Sequence, residues 1–242
     1  VYYSLDKPEK DVRTWKDVYN QEFNAVTQPI LLDYENSSYY KRWKKRLLSE
    51  KNHLSKPEKL AVLLDEIYDQ MDMRPTIAEE ILKSNGYFLK QKRLNPHIIR
   101  RLYRQLLEDL EIDYWAVFAR SKRSGPIDPY YIRKGEYDHI FFAYDNGKGS
   151  INFLYPNEEH YKYKINEIPT VIYNTKAVIV KPSNTEKRKR TDRYINYDLK
   201  MAEVDSVDVK LIELPKMGVG QNYTKQIFSC TIDLESKKTY FK

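Results

Sequence analysis

His139 is the residue of this chain best placed to do chemistry. It stands in Tyr137-Asp138-His139-Ile140-Phe141, at the head of a strand-like run. A glycine-containing turn follows, and a second run, Phe153-Leu154-Tyr155-Pro156-Asn157, closes the unit. An imidazole on one strand, oriented by a side chain from the next, is the arrangement of a general base. Acyl transfer also needs a nucleophile within hydrogen-bond reach of that base. The chain has one cysteine, Cys230, far downstream of His139. Its alternating apolar neighbours Phe228, Ile232 and Leu234 put it on the apolar face of a strand, where a free thiol behaves as a small inert hydrophobe.

Other candidate chemistries find less in the residues. His97, His139 and His160 lack the short paired spacing of metal ligands, and no second cysteine joins them, so no cofactor is expected. Gly147-Lys148-Gly149 has the character of a hairpin turn, without the strand and helix that flank a phosphate loop. Lys187-Arg188-Lys189-Arg190 is a possible anion-binding loop. Four consecutive charges in a polar stretch are more often the mark of a solvated loop.

The elements that must position these residues fall into two groups. Trp15, Val18, Tyr19 and Phe23 have helical spacing, and Pro29 breaks the run. Ser37 or Ser38 can cap a helix bearing Tyr39, Tyr40, Trp43, Leu47 and Leu48. Ser55-Lys56-Pro57-Glu58 reads as a capping box opening a helix with Leu60, Leu63, Leu64, Ile67 and Met71 on one stripe. Thr76-Ile77-Ala78-Glu79 repeats the device, and Gly86 reads as a stop. Asn95-Pro96 opens a central helix whose wide apolar face carries Ile98, Ile99, Leu102, Tyr103, Leu106, Leu107 and Leu110. After Ile112 the period changes to that of strands, at Tyr114 to Ala119, His139 to Tyr144, Ser150 to Leu154 and Ala177 to Val180. Pro182 to Arg193 reads as an exposed linker, followed by alternating Val207, Val209 and Leu211 and the strand around Cys230.

Composition narrows the classes. The 242 residues are 41% hydrophobic and 32% charged, without an apolar run long enough to span a bilayer, so a soluble fragment with no transmembrane segment is expected. The net charge is +7, but 42 basic and 35 acidic residues are interspersed as on an ordinary solvated surface. A basic balance marks a nucleic-acid binder only when clustered on one face, so nucleic acid is not the expected partner. The 22 tyrosines suit either an aromatic binding surface or a strand-rich core with hydroxyls reaching water.

The order of a leucine-striped helix, a strand beginning with His and a strand ending just before Pro resembles the transglutaminase-like, papain-related superfamily. That family reads roughly N-H-V and then L-D-P-T, with its nucleophilic Cys opening the striped helix and a G-I pair behind it. Here His139 matches the base, and Tyr155 stands where the family's Asp precedes Pro. With Glu111-Ile112 set on the G-I pair, Pro96 falls on the nucleophile and Asn95-Pro96-His97 on the segment around it. The resemblance covers roughly Leu60 to Val180 and is closest to bacterial secreted or periplasmic members, which implies an extracellular, periplasmic or cell-surface location.

The expected fold is α+β, with helices packed on an antiparallel sheet over residues 1–181. Residues 182–242 are expected to form a linker and a β-rich segment of a longer protein. The expected function is that of a non-catalytic relative, a binding or scaffolding module for a protein or glycan of the bacterial envelope. Pro96, His139 and Tyr155 form its degenerate site, and His97 and Asn157 line its cleft. Two alternatives stay open: a cysteine-independent peptidase or acyltransferase, and an anionic-polymer binder acting through Lys187 to Arg193.

Overall fold

A computed structural model describes residues 14–27, 34–75, 83–130, 132, 137–158, 161–183, 204, 206–216, 230–233 and 238–241. The described residues open with α1 (Trp15–Val18), which widens into a π-helical turn over Tyr19–Asn24 and closes as α2 (Ala25–Thr27). Arg104 clamps the end of this element. Its guanidinium donates to the Asn24 carbonyl (3.3 Å), Asn24 Oδ1 (2.7 Å) and Thr27 Oγ1 (3.1 Å), while Nε donates to Glu108 (2.8 Å). Helix α3 (Tyr34–Leu48) starts a turn upstream of the expected cap, so Ser37 and Ser38 lie inside it. Tyr34, Glu35 and Asn36 include no helix breaker, and the helix simply extends through them.

Helix α4 (Lys56–Gln70) begins as the capping box requires. The Glu58 carboxylate accepts from the Ser55 amide (2.8 Å) and hydroxyl (2.7 Å), and these bonds hold its pKa below the usual value. Short strands β1 (Asp72–Met73) and β2 (Arg93–Leu94) pair in parallel around α5 (Asn85–Gln91). Gly86 is buried in the first turn of α5, which Ser84 caps, instead of stopping a helix. The stop is Lys92, in the left-handed region at φ +51°. The second expected capping box, Thr76 to Glu79, and the Pro29 break lie outside the described residues.

Helix α6 (Pro96–Asp109) is central. Asn95 Oδ1 accepts from the His97 and Ile98 amides at 3.0 Å each, and Ile98, Ile99, Leu102, Tyr103, Leu106 and Leu107 are buried. The helix ends in a Schellman-type reversal, with the Ile112 amide on the Leu107 carbonyl (2.9 Å) and Glu111 at φ +52°. A non-glycine residue there costs about 1–2 kcal/mol. The exposed Lys56–Glu111 pair at 2.9 Å returns little of it. Glu111→Gly is therefore expected to raise the urea-unfolding free energy by about 1 kcal/mol. An unchanged or lowered midpoint would remove the strain argument.

Five antiparallel strands form the sheet: β3 (Tyr114–Ala119), β4 (His139–Asp145), β5 (Ile151–Leu154), β6 (Lys176–Pro182) and β7 (Val207–Glu213), in the order β5-β4-β3-β6-β7. The β4–β5 hairpin turns through Gly147 and Gly149 at φ +75° and +77°, pinned by Asp145 and Asn146 side chains that accept from the amides two residues on. One face of the sheet (Ala116, Phe118, Phe142, Tyr144, Leu154, Val178, Val180) packs with residues of the helices. The other (Val117, Ala119, Phe141, Ala143, Phe153, Ala177, Ile179) is covered by Tyr155, Ile168, Ile172 and Leu214. The fold is thus α+β, with helices on an antiparallel sheet. Strand β7, beyond the boundary expected at residue 181, belongs to this same sheet because it pairs along the whole of β6. Strands β8 (Cys230–Asp233) and β9 (Lys238–Phe241) make a separate antiparallel pair. Among the described residues no helix is long and apolar enough to cross a membrane.

Candidate functional site: a histidine held by a tyrosine

His139 is the first residue of β4, opposite Ala119 of β3. The two-residue repeat of the strand puts its side chain on the face of Phe141 and Ala143, away from the helical core. Tyr155 follows β5 by one residue and returns to that face. Its ring packs against Phe141 (centroids 5.4 Å apart) and Tyr163 (4.7 Å) and is 7% exposed. Its hydroxyl meets His139 Nδ1 at 2.7 Å.

Burial, then the neighbouring Glu158, drives the Tyr155 phenol well above its ordinary pKa, so it keeps its proton at neutral pH. The Glu158 carboxylate also takes part in a hydrogen bond with this hydroxyl, which therefore stands between a carboxylate and the imidazole. Burial lowers the pKa of His139, and Asp138 and Glu158 oppose this only in part. The contact fits either tautomer of His139: the phenol donates to Nδ1, or it donates to Glu158 and accepts from Nδ1–H. A carboxylate in place of Tyr155 would select the Nδ1–H form, with Nε2 free to act as a base.

Two neighbouring groups, Asp138 and Asn157, are committed elsewhere. Asp138 accepts from the Ser124 hydroxyl (2.6 Å) and the Ser121 amide (3.1 Å), and chiefly the Ser124 bond holds its carboxyl below the usual range. Asn157, expected in a cleft, is 2% exposed, and its Oδ1 accepts from the Tyr163 amide at 2.7 Å, so it fastens the chain after β5. The crevice between α4, α6 and residues 154–165, lined by Leu64, Tyr68, Tyr103, Tyr155 and Tyr163 among others, has room for about one water molecule.

Pro96 is the first residue of α6 and His97 is exposed beside it, with its imidazole pKa lowered by partial burial and by Arg100 and Arg101. Arg100, one turn after Pro96 on the same side of the helix, is the residue of α6 whose charge acts on Tyr155. Burial lowers the pKa of its guanidinium, while Tyr155 and Glu158 favour its charge. Its Nε is buried without a hydrogen-bond partner among the described residues. Sequence reading passed over Arg100 and Tyr163. Helical spacing from Pro96 was a usable signal for Arg100, whereas nothing local marked Tyr163.

The side chain of Cys230 is outside the described residues, although its backbone pairs with Phe241. His160 and the run from Lys187 to Arg190 lie outside them altogether. Among the described residues no group of three His, Cys, Asp or Glu side chains could hold a metal ion.

The lowered pKa of His139 has a measurable consequence. The unfolded chain takes up this proton at about pH 6.5, before the folded protein does, so stability from His139 is complete above that pH and falls as pH drops. His97 adds an effect of the same sign. Urea midpoints are expected to decline as pH falls below about 6.5, and less steeply in His139→Gln. An unchanged slope in the variant would show that His139 is not the group responsible.

No protein-family model matches the chain, and no curated protein matches it. A solved structure from Parabacteroides distasonis ATCC 8503, described as a "putative protease", is similar to it at 13% identity with a TM-score of 0.39. That similarity covers 56% of this chain and 26% of the other, and likeness at this level carries no functional argument. Fold and site together define an α+β protein with a closed His–Tyr pair at the end of its sheet.

Proposed function

We propose that this chain is a non-catalytic relative of the transglutaminase-like, papain-related superfamily, acting as a binding or scaffolding module for a protein or glycan in the bacterial envelope. The observation that carries the reading is the 2.7 Å contact between Tyr155 and His139, made where the family holds its carboxylate. A neutral phenol takes the carboxylate's place beside the imidazole, and Pro96 supplies no nucleophile to activate. The left-handed backbone at Glu111, on the residue aligned with the family's Gly, supports the same register. The envelope location follows from the resemblance alone.

Two measurements test this. Peptide hydrolysis, deamidation and amine incorporation are expected to be absent, with Cys230→Ser indistinguishable from the parent. Turnover lost in Cys230→Ser would overturn the reading, and turnover that survives both that change and thiol alkylation would favour the cysteine-independent enzyme. The second measurement rebuilds the site with Pro96→Cys and Tyr155→Asp together. A helix N-terminus stabilises a thiolate, and an imidazolium beside it would add to this, so alkylation should report a thiol pKa below the ordinary value of about 8.5. A thiol titrating at or above that value puts Pro96 outside the nucleophile's place and removes the family assignment.

A further inference from the structure

Strand β7 ends the sheet: β6 flanks one side, and among the described residues no strand pairs with the other. Protein edges of this kind are normally blunted by bulges, prolines or charged side chains, and on β7 the charges of Asp208 and Lys210 alternate with apolar residues. Here the pairing with β6 runs unbroken from Pro182↔Val207 to Lys176↔Glu213, with no bulge to twist the edge away. Two large apolar side chains remain in water on it, Val209 at 40% and Leu211 at 38% exposure.

The direction of the free backbone groups follows from two bonds at the strand ends. The Ser183 amide donates to the Ser206 carbonyl (3.1 Å), and the Leu214 amide donates to the Thr175 carbonyl (2.9 Å). Residues 206 and 214 therefore turn their backbone toward β6, as do 208, 210 and 212 by the two-residue repeat. The amides and carbonyls of Val207, Val209, Leu211 and Glu213 point to the open edge. On the side-chain faces, Val207, Val209 and Leu211 share the face of the helical core, with Asp208 and Lys210 on the other.

This pattern is complementary to itself in one register. In an antiparallel pairing of two copies centred on Val209, Val209 meets Val209 and Val207 meets Leu211, all at positions whose backbone groups face outward. The same register sets Asp208 opposite Lys210 twice, once on each side of the centre. Centring one pair further along, on Lys210, would put two ammonium groups face to face and leave Asp208 opposite Ile212, which like-charge repulsion disfavours. We propose that β7 is a homodimer interface, joining two five-stranded sheets into a continuous one about a two-fold axis through Val209.

Sedimentation of the full chain across a wide concentration range tests this. A reversible dimer is expected. Asp208→Lys and Lys210→Asp, both exposed changes, should each weaken it by roughly tenfold or more, because two attractive pairs become repulsive. The Asp208→Lys/Lys210→Asp double variant should restore it. Hydrogen exchange supplies the second readout: the Val207, Val209 and Leu211 amides should slow as concentration rises, while those of Asp208, Lys210 and Ile212 stay unchanged. A monomer at every concentration, or a dimer indifferent to both charge reversals, overturns the proposal. So does protection of the same amides only on adding an extended peptide, which would assign the edge to a strand of another protein.

Discussion

Phe142→Ala is expected to lower the unfolding free energy by about 3–5 kcal/mol, as truncating a buried aromatic side chain does. Phe142 is 1% exposed, and three separate elements meet on its ring. Phe23 of the π-helical turn lies edge-on at 4.8 Å, Tyr114 of β3 at 5.9 Å and Tyr103 of α6 at 6.4 Å. A void there is bounded by sheet, central helix and first helix at once, so no one of them can close it without giving up its other contacts. Against a typical total of about 5–15 kcal/mol, such a loss leaves a marginal protein. Denaturant unfolding decides it: a loss below about 1 kcal/mol would show that the first helix does not pack where the structure puts it.

Tyr155→Asp is the second large change, and its two effects differ in kind. Removing a ring packed between Phe141 and Tyr163 and burying a carboxylate should cost about 3–5 kcal/mol at neutral pH. The new carboxylate would also accept from Nδ1–H and favour the imidazolium, moving the His139 pKa from below its ordinary value to above it. The sign of the linkage then inverts. A raised imidazole pKa adds stability that is complete below about pH 6.5 and fades as pH rises through the folded value. The variant should therefore lose least at acidic pH, where the parent is weakest. Tyr155→Phe separates the two effects, since it keeps the ring and forfeits only the hydroxyl bond, worth about 1 kcal/mol. NMR titration reads the imidazole directly: a His139 pKa in Tyr155→Asp no higher than in the parent would mean that the two side chains do not share a proton.

Much of the helical part was legible because its signals are local. Asn95-Pro96 and Ser55 to Glu58 state their own helix starts, and the leucine stripe of α6 states its buried face. Gly86 misled because glycine marks helix ends in general, while Ser84 just before it already satisfied a helix start. Lys92 and Glu111 could not be recognised as left-handed stops, since neither residue type favours that backbone. The sheet was legible as strands but not as two cores. Phe141 and Phe142 are adjacent in sequence and face opposite sides, and the layer over Phe141 comes from residues 155–175, which have little strand or helix period of their own. For the same reason Tyr163 and the burial of Asn157 were invisible. The pairing of His139 with Tyr155 could be anticipated from strand order, but the part Glu158 plays beside it could not, because no strand or helix period places that residue.

The first helix is made early and seated late. Trp15 donates its indole N–H to the Pro129 carbonyl and packs at a tilt against Phe118 and Tyr137, Phe23 meets Phe142, and Asn20 exchanges bonds with the backbone of Val204. Each of these partners lies far downstream, Pro129 by 114 residues from Trp15 and Val204 by 184 from Asn20. Until β3 and β4 exist, this aromatic helix has nowhere to bury its face, and until Val204 arrives Asn20 has no mate. Such distant pairings slow folding and lengthen the time that Trp15, Tyr19 and Phe23 spend in water. The order of synthesis thus leaves the aromatic face of this helix uncovered until its distant partners follow.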